Sequence, residues 1–340
     1  MPRILTIGID RPGTTSHSRR STLESLLSDF EPYHIDTWTP FSQSSRVSRS
    51  LAFRFHSGPA VTAINAEIRN ALASLPSQFD LVWIDKAVFL TPETTRMIRE
   101  RAGQLIHYTP DTAFLGNRSR HFEASGALYD LLVTTKSFEL DHYRHAFPGQ
   151  RIHLSSQGYH AELHRPLIPF EEKQADVAFV GLAETSRFRV IEALLNAGIP
   201  VRLAGFGWKK FVADQSSPLL DYVGESLTGV EYSRFLSSAL FSPGLLSKKF
   251  PELHTTRTFE IPACGTALLT ERNAETSSFF SEDEAIFFDS LPEMIERVQH
   301  FLRHREELKR ISEAGRMRVE KDGRSYDCLL HEVLSEIGLV

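Results

Sequence analysis

Arg257 and Glu260 stand three residues apart in the stretch from His254 to Thr270, where threonines precede a mixed run and Gly265 precedes an apolar one. That order reads as a threonine cap, a short helix, a glycine stop and a buried strand. Residues three apart share a helix face, so this cation and carboxylate either meet one ligand or pair with each other. A helix N-terminus, here around Thr256, offers free N–H groups to a phosphate. A carboxylate such as Glu260 suits the two hydroxyls of a ribose. Further cations come earlier in the chain. Gly181 ends an apolar run, Arg187 follows near the start of a helical pattern, and Lys248 and Lys249 share a later loop. A glycine admits close backbone approach and an arginine pairs bidentately with phosphate oxygens. Together these residues would compose a diphosphate-binding cluster; the alternative is a set of surface cations in solvent.

Such a cluster needs a frame that brings distant loops together. The run Arg3 to Ile9, ending at Asp10, reads as a buried strand, and a polar loop containing His17 leads into a helix. Strand, glycine-containing loop and helix begin a doubly wound unit. Residues 79–85, 104–108, 129–135 and 151–154 read as further strands alternating with helices, one of which carries Pro92 in its first turn. The serine- and arginine-rich span from Phe41 to Gly58 reads as a mobile loop, a basic helix or a plain surface excursion. Between Ser156 and Gln174 prolines and charges suggest a linker, after which the alternation restarts at Asp176. The expectation is an α/β chain of two doubly wound, Rossmann-like domains facing across a cleft. Residues 1–165 form the first, 166–323 the second, and 324–340 a terminal helix packing back on the first. Ligands of such sheets sit beyond the carboxyl ends of the strands, which singles out Asp10, Lys86, Asp111, Lys136 and the Gln157-Gly158 pair.

Composition narrows the chemistry. A chain of 340 residues with 41% hydrophobic and 24% charged residues is of ordinary globular type, long enough for two cores. A formal net charge of −5 argues against a dedicated nucleic-acid partner. The two cysteines, Cys264 and Cys328, lack metal spacing and suit a reducing cytoplasm. The first residues read as a strand, not as a signal peptide, and no apolar run is long enough to be a transmembrane segment. The P-loop, G-x-G-x-x-G, H-E-x-x-H, C-x-x-C and G-x-S-x-G patterns are absent, as is D-x-D, the usual signal of a metal-chelated sugar nucleotide.

The segment Arg257-Thr258-Phe259-Glu260-Ile261-Pro262-Ala263-Cys264-Gly265 resembles the R-x-F-E-x-x-A-C-G signature of CgeB-type, spore-maturation-like glycosyltransferases of the GT-B superfamily. The likeness extends to Phe179-Val180-Gly181 with Arg187, to Phe287-Phe288-Asp289, and to Gly158-Tyr159 before the linker; the first half is similar only in outline, at Thr109-Pro110-Asp111. The resemblance implies a transferase that needs no metal or other cofactor and moves a hexosyl-type sugar from a nucleoside-diphosphate sugar to a saccharide, lipid, protein or small-molecule acceptor. It gives Glu260 the ribose, and Arg187 with Lys248 or Lys249 the diphosphate. Glu252 lies eight residues before Glu260, the E-x7-E spacing of retaining members. The H-T-Y of the family stands here as Gly323-Arg324-Ser325-Tyr326, without its histidine. Retention is favoured over inversion; an inverting enzyme would take Asp10, His17 or Asp111 as its base. A noncatalytic nucleotide- or sugar-binding protein and a GT-B epimerase are the rival readings.

Overall fold

The computed structural model describes residues 1–86 and 88–340. The chain divides into two compact units, Met1–Ser156 with Asp327–Val340, and Gln157–Tyr326. Each unit is built on a parallel sheet that is six-stranded among the described residues.

In the first unit the order of elements is β1 (Arg3–Gly8), α1 (Thr15–Leu26), β2 (Glu31–Asp36), α2 (Trp38–Gln43), α3 (Arg46–Phe55), α4 (Pro59–Ser74) and β3 (Phe79–Asp85). There follow α5 (Pro92–Arg99), β4 (Ala102–Thr109), α6 (Arg120–Ser125), β5 (Leu131–Thr134), α7 (Leu140–Ala146) and β6 (Arg151–Leu154). The strands lie in the order β2-β1-β3-β4-β5-β6. The central strands are covered on both faces, which is why β3 is a near-continuous apolar run with six of its seven residues buried. The edge strand β2 reads otherwise: Glu31 to Asp36 is polar and half-buried, and Pro32 is tolerated because an edge strand has no outer ladder to complete. Helix α5 begins as its sequence promised, with Thr91 Oγ1 accepting the Thr94 N–H and Pro92 in the first turn.

The second unit contains β7 (Gln174–Val180), α8 (Thr185–Asn196), β8 (Val201–Ala204), α9 (Lys209–Asp214), β9 (Leu220–Gly224), α10 (Gly229–Ser237) and β10 (Ala239–Pro243). Then come α11 (Arg257–Ala263), β11 (Ala267–Glu271), α12 (Thr276–Phe279), β12 (Ile286–Phe288), α13 (Leu291–Arg303) and α14 (Arg305–Lys321); α15 (Tyr326–Glu336) closes the chain. The sheet order is β12-β11-β10-β7-β8-β9. One core, around Phe179, Trp208, Phe241 and Met294, fills one face of this sheet. A second, around Phe259, Cys264, Leu268 and Phe287, fills the other.

Both sheets change direction of growth once. In the first unit the chain lays β2 on one side of β1 and β3 on the other; in the second, β8 and β10 flank β7 in the same way. The crevice beyond the strand ends at such a reversal is where open α/β sheets bind ligands. No helix among the described residues is long and apolar enough to cross a membrane.

Candidate active site

In the second unit the reversal lies between the ends of β7 and β10, and two arginines meet there. Arg187, in the first turn of α8, donates from Nη1 to the Leu182 carbonyl at 2.9 Å and from Nη2 to the Leu245 carbonyl at 3.3 Å. Arg257, the first residue of α11, reaches the same Leu245 carbonyl from Nη2 at 3.4 Å. Each guanidinium stands 5.8 Å from the ring of Phe179. Burial, and then the charge of Arg257, pull the Arg187 pKa down to about 10, so it stays a cation at neutral pH. Its nearest carboxylate, Glu184, is 3.5 Å away and is held by the Ser247 hydroxyl at 3.1 Å. Glu252 adds a weaker field at Arg187. The Nε atoms of both arginines are buried without a hydrogen-bond partner among the described residues. An unmet buried donor costs about 1–3 kcal/mol; it is the two clustered cations at the strand reversal that make this a place suited to an anion.

Gly181 shapes this place. A Cβ there would come within 2.8 Å of the Phe179 ring and 3.5 Å of Arg187 Nη1. A larger residue would therefore push the ring that both guanidiniums face. The Gly181 carbonyl also accepts the Trp208 indole N–H at 2.8 Å, locking the strand end.

The helix after this loop departs from its sequence reading at its cap, and the alternative in which its cation and carboxylate pair is not the one realised. Thr256 is in helical conformation and makes no side-chain cap; the Thr258 hydroxyl instead accepts the Thr255 N–H at 3.1 Å. Arg257 and Glu260 do not pair. Glu260 turns inward, 5% exposed, with Oε2 accepting the Tyr232 hydroxyl at 2.6 Å and Oε1 4.0 Å from His164 Nε2. His164 Nδ1 accepts the His160 N–H at 3.0 Å, which assigns the ring proton to Nε2, facing Glu260. Burial holds the His164 pKa below its usual value, and burial with the nearby Glu260 charge drives the Tyr232 phenol well above its own. The glycine stop is present: Gly265 has a φ of 69° and donates to the Pro262 carbonyl at 2.8 Å.

The lysines singled out from the sequence are more open. Lys248 is ion-paired with Glu271, and Lys249 is exposed. Arg187, Leu245, Lys248, Glu271 and Ser290 line a cavity of about 370 Å³ in this unit, within the usual range for small-molecule sites. Cys264 is buried within the signature, its thiol pushed up to about 12 by burial and then by the Glu260 charge; it is a packing residue.

In the first unit the reversal lies between β1 and β3. Asp10, just beyond β1, accepts or shares a proton with His17 Nδ1 at 2.6 Å and is contacted by Arg20 at 3.1 Å. Its backbone N–H donates to Asp36 at 3.0 Å. Burial raises the Asp10 pKa, but His17 and Arg20 outweigh it and the net shift is downward. A carboxylate-oriented imidazole is the arrangement of a general base. Asp111 is placed differently, paired with Lys86 Nζ at 2.8 Å.

Sequence reasoning missed what holds this end in place. Arg19 on α1 grips Asp85 at the end of β3 with two bonds of 2.7 and 3.0 Å, Ser16 adds a third at 2.8 Å, and the guanidinium lies 4.7 Å from the Tyr108 ring. Arg19 is buried. Asp85 remains ionised because the Arg19 charge overcomes the large effect of burial. A partner 66 residues away leaves no local signal. Tyr232 and His164, partners of the distant Glu260, were missed for the same reason; Glu184 was missed although it stands only three residues before Arg187.

Two doubly wound parallel sheets in tandem, each with its crevice at a strand reversal, define a GT-B architecture, and the comparisons agree. Residues 187–334 match the family model described as glycosyl transferase-like. Among solved structures, the chain is similar to sucrose-phosphate synthase from Thermosynechococcus elongatus, with TM-score 0.68, 12% identity and 99% of each chain covered. Anabaena HepE in complex with UDP-glucose aligns with TM-score 0.64, 10% identity and 100% of each chain. An alpha,alpha-trehalose 6-phosphate synthase from Burkholderia multivorans aligns with TM-score 0.65, 10% identity, and 99% and 96% coverage of this chain and that one. A comparison with curated proteins finds no match. The fold is GT-B, and the match over residues 187–334 supports the glycosyltransferase superfamily of that fold.

Proposed function

We propose that the chain is a CgeB-type GT-B glycosyltransferase that moves a hexosyl group from a nucleoside-diphosphate sugar to a hydroxyl acceptor, without a metal ion, in the cytoplasm. The second unit takes the donor and the first the acceptor. The observation that carries this reading is the Arg187–Arg257 pair on the Leu245 carbonyl, at the strand reversal of the second sheet. Charge develops on the departing diphosphate, and fixed donors aimed at it are the largest source of rate enhancement in such reactions. Two arginines supply the positive charge that a divalent ion would otherwise provide. Lys248 and Lys249 flank them, and Glu260, held by Tyr232, takes the ribose hydroxyls.

Retention, favoured by the spacing of Glu252 and Glu260, lets the leaving phosphate receive the acceptor proton. Inversion is the second reading, favoured by the Asp10–His17 contact of 2.6 Å. The anomeric configuration of the first product separates the two. UDP is the first ligand to try, since HepE is described in complex with UDP-glucose. Calorimetric titration of UDP into Arg187→Ala and Glu260→Ala should show affinity reduced roughly tenfold or more in each, the loss of a charge-assisted hydrogen bond. Undiminished affinity in both would remove the donor-site assignment. Release of UDP from UDP-glucose without any acceptor-dependent product would favour an epimerase or a binding protein instead.

A further inference from the structure

The strand reversal of the first unit opens onto a cavity of about 220 Å³, and its lining is unlike the cationic crevice of the second. Ile9, Ile64, Trp38, Phe41, Phe53 and Phe89 are among its walls. The aromatic members come from α2, α3 and the segment after β3, and they hold one another: Phe41 stacks on Phe89 at 5.6 Å, and Phe53 meets both edge-on at 5.6 and 5.1 Å. Phe53 is nevertheless 57% exposed, and Trp38, Phe41 and Phe89 are only half-buried. Phe41 and Phe89 pack against the core, and the exposed Phe53 ring beside them extends that apolar wall around a concavity.

One side of the cavity is polar. Lys86 and Asp111, joined at 2.8 Å, both line it. Lys86 has a φ of 61°, a left-handed conformation that L side chains rarely adopt. Such strain gathers at functional sites. Volume limits the occupant. An apolar cavity of about 150 Å³ accepts benzene, so this one has room for a substituted ring or a compact pair of rings.

We propose that this cavity binds the acceptor, and that the acceptor class is a small molecule whose hydroxyl is carried on an apolar ring. This rests on the transferase reading above. The ring lies against Trp38, Phe41, Phe53 and Phe89, and the hydroxyl lies toward Lys86 and Asp111. In the reaction the acceptor oxygen bonds to the anomeric carbon of the donor sugar as the bond from that carbon to the diphosphate oxygen breaks. The diphosphate leaves with the bonding electron pair. The acceptor proton passes to that diphosphate if configuration is retained, or to a base of the first unit if it is inverted.

Calorimetry with 2-naphthol, methyl glucoside and UDP tests this on the full chain. Wild-type protein should bind one 2-naphthol, at least tenfold more tightly than methyl glucoside. Phe53→Ala, at an exposed position, should weaken 2-naphthol roughly tenfold, the loss of one aromatic contact, and leave UDP affinity unchanged. Val88→Phe, which fills the cavity from its wall, should block 2-naphthol and spare UDP. UDP binding without 2-naphthol binding, or 2-naphthol binding indifferent to both substitutions, overturns the acceptor class while the transferase reading stands. Binding of 2-naphthol when neither UDP nor any other nucleoside diphosphate binds leaves a ring site but overturns its assignment to an acceptor, together with the transferase reading.

Discussion

The two strand reversals share a topology and differ in chemistry. Between β7 and β10 the crevice holds two guanidiniums on one carbonyl, with buried donors left unmet. Between β1 and β3 it holds aromatic rings, a lysine already neutralised by an aspartate, and a carboxylate–imidazole contact nearby. The common topology explains why both places are concave. It does not explain what each would bind, which depends on the side chains that the flanking loops deliver. A transferase needs this asymmetry: a charged leaving group on one side, and a neutral nucleophile on the other.

The comparison can be broken at its supports. The largest effect is expected at Arg19. Its buried, bidentate contact with Asp85 fixes α1 against β3, and removing one partner of a buried pair strands the other charge. Arg19→Ala should cost the first unit about 3–5 kcal/mol in denaturant unfolding. A loss no greater than that of an exposed arginine would show that the pair does not hold the first reversal.

The second reversal is tested by a double-mutant cycle on Arg187 and Arg257. Single alanine substitutions should each weaken UDP by about 1.5–3 kcal/mol, and the pair should be non-additive because both guanidiniums share Leu245 and one anion. Strict additivity would mean that they do not meet one ligand.

Acid should weaken the first unit through His107, a buried residue whose ring stacks 4.2 Å from that of Phe122. Burial lowers its pKa to about 3, against about 6.5 when unfolded. The unfolded chain therefore takes up the proton first. Stability falls as pH drops from about 6.5 toward 3, by up to about 1.4 kcal/mol per pH unit, and is unaffected by this group above that window. His107→Phe should flatten the limb between pH 6.5 and 4.5 relative to the wild type; an unchanged limb would assign it elsewhere.

The smallest effect concerns the cysteines, neither of which is in a disulfide. A thiol reagent should modify exposed Cys328 in the native protein and reach buried Cys264 only on unfolding. Two equivalent native thiols would show the signature helix to be looser than described.

Much of the frame was legible because it obeys local rules. Parallel strands buried on both faces appear as apolar runs, and Pro92 and Gly265 mark helix ends by their own backbone chemistry. The edge strand β2 was not legible, because its half-solvated residues carry neither a run nor a clean alternation. The span from Phe41 to Gly58, read as loop, basic helix or excursion, holds the end of α2 and all of α3, with Ser45 capping α3 by accepting the Ser48 N–H. Its arginines dominated the reading, whereas its phenylalanines build the cavity wall. At the second reversal Arg187, Arg257 and Glu260 were legible as types. Their arrangement was not: Arg257 joins Arg187 and not Glu260, because the first turn of α11 starts beside the Leu245 loop while Glu260, one turn later, faces Tyr232.

Simultaneous binding tests the asymmetry most directly. With UDP at saturation, a calorimetric titration of 2-naphthol should still show one site, with affinity within a few-fold of that measured without nucleotide. Displacement of either ligand by the other would place both in a single crevice and contradict the assignment of one reversal to the donor and the other to the acceptor.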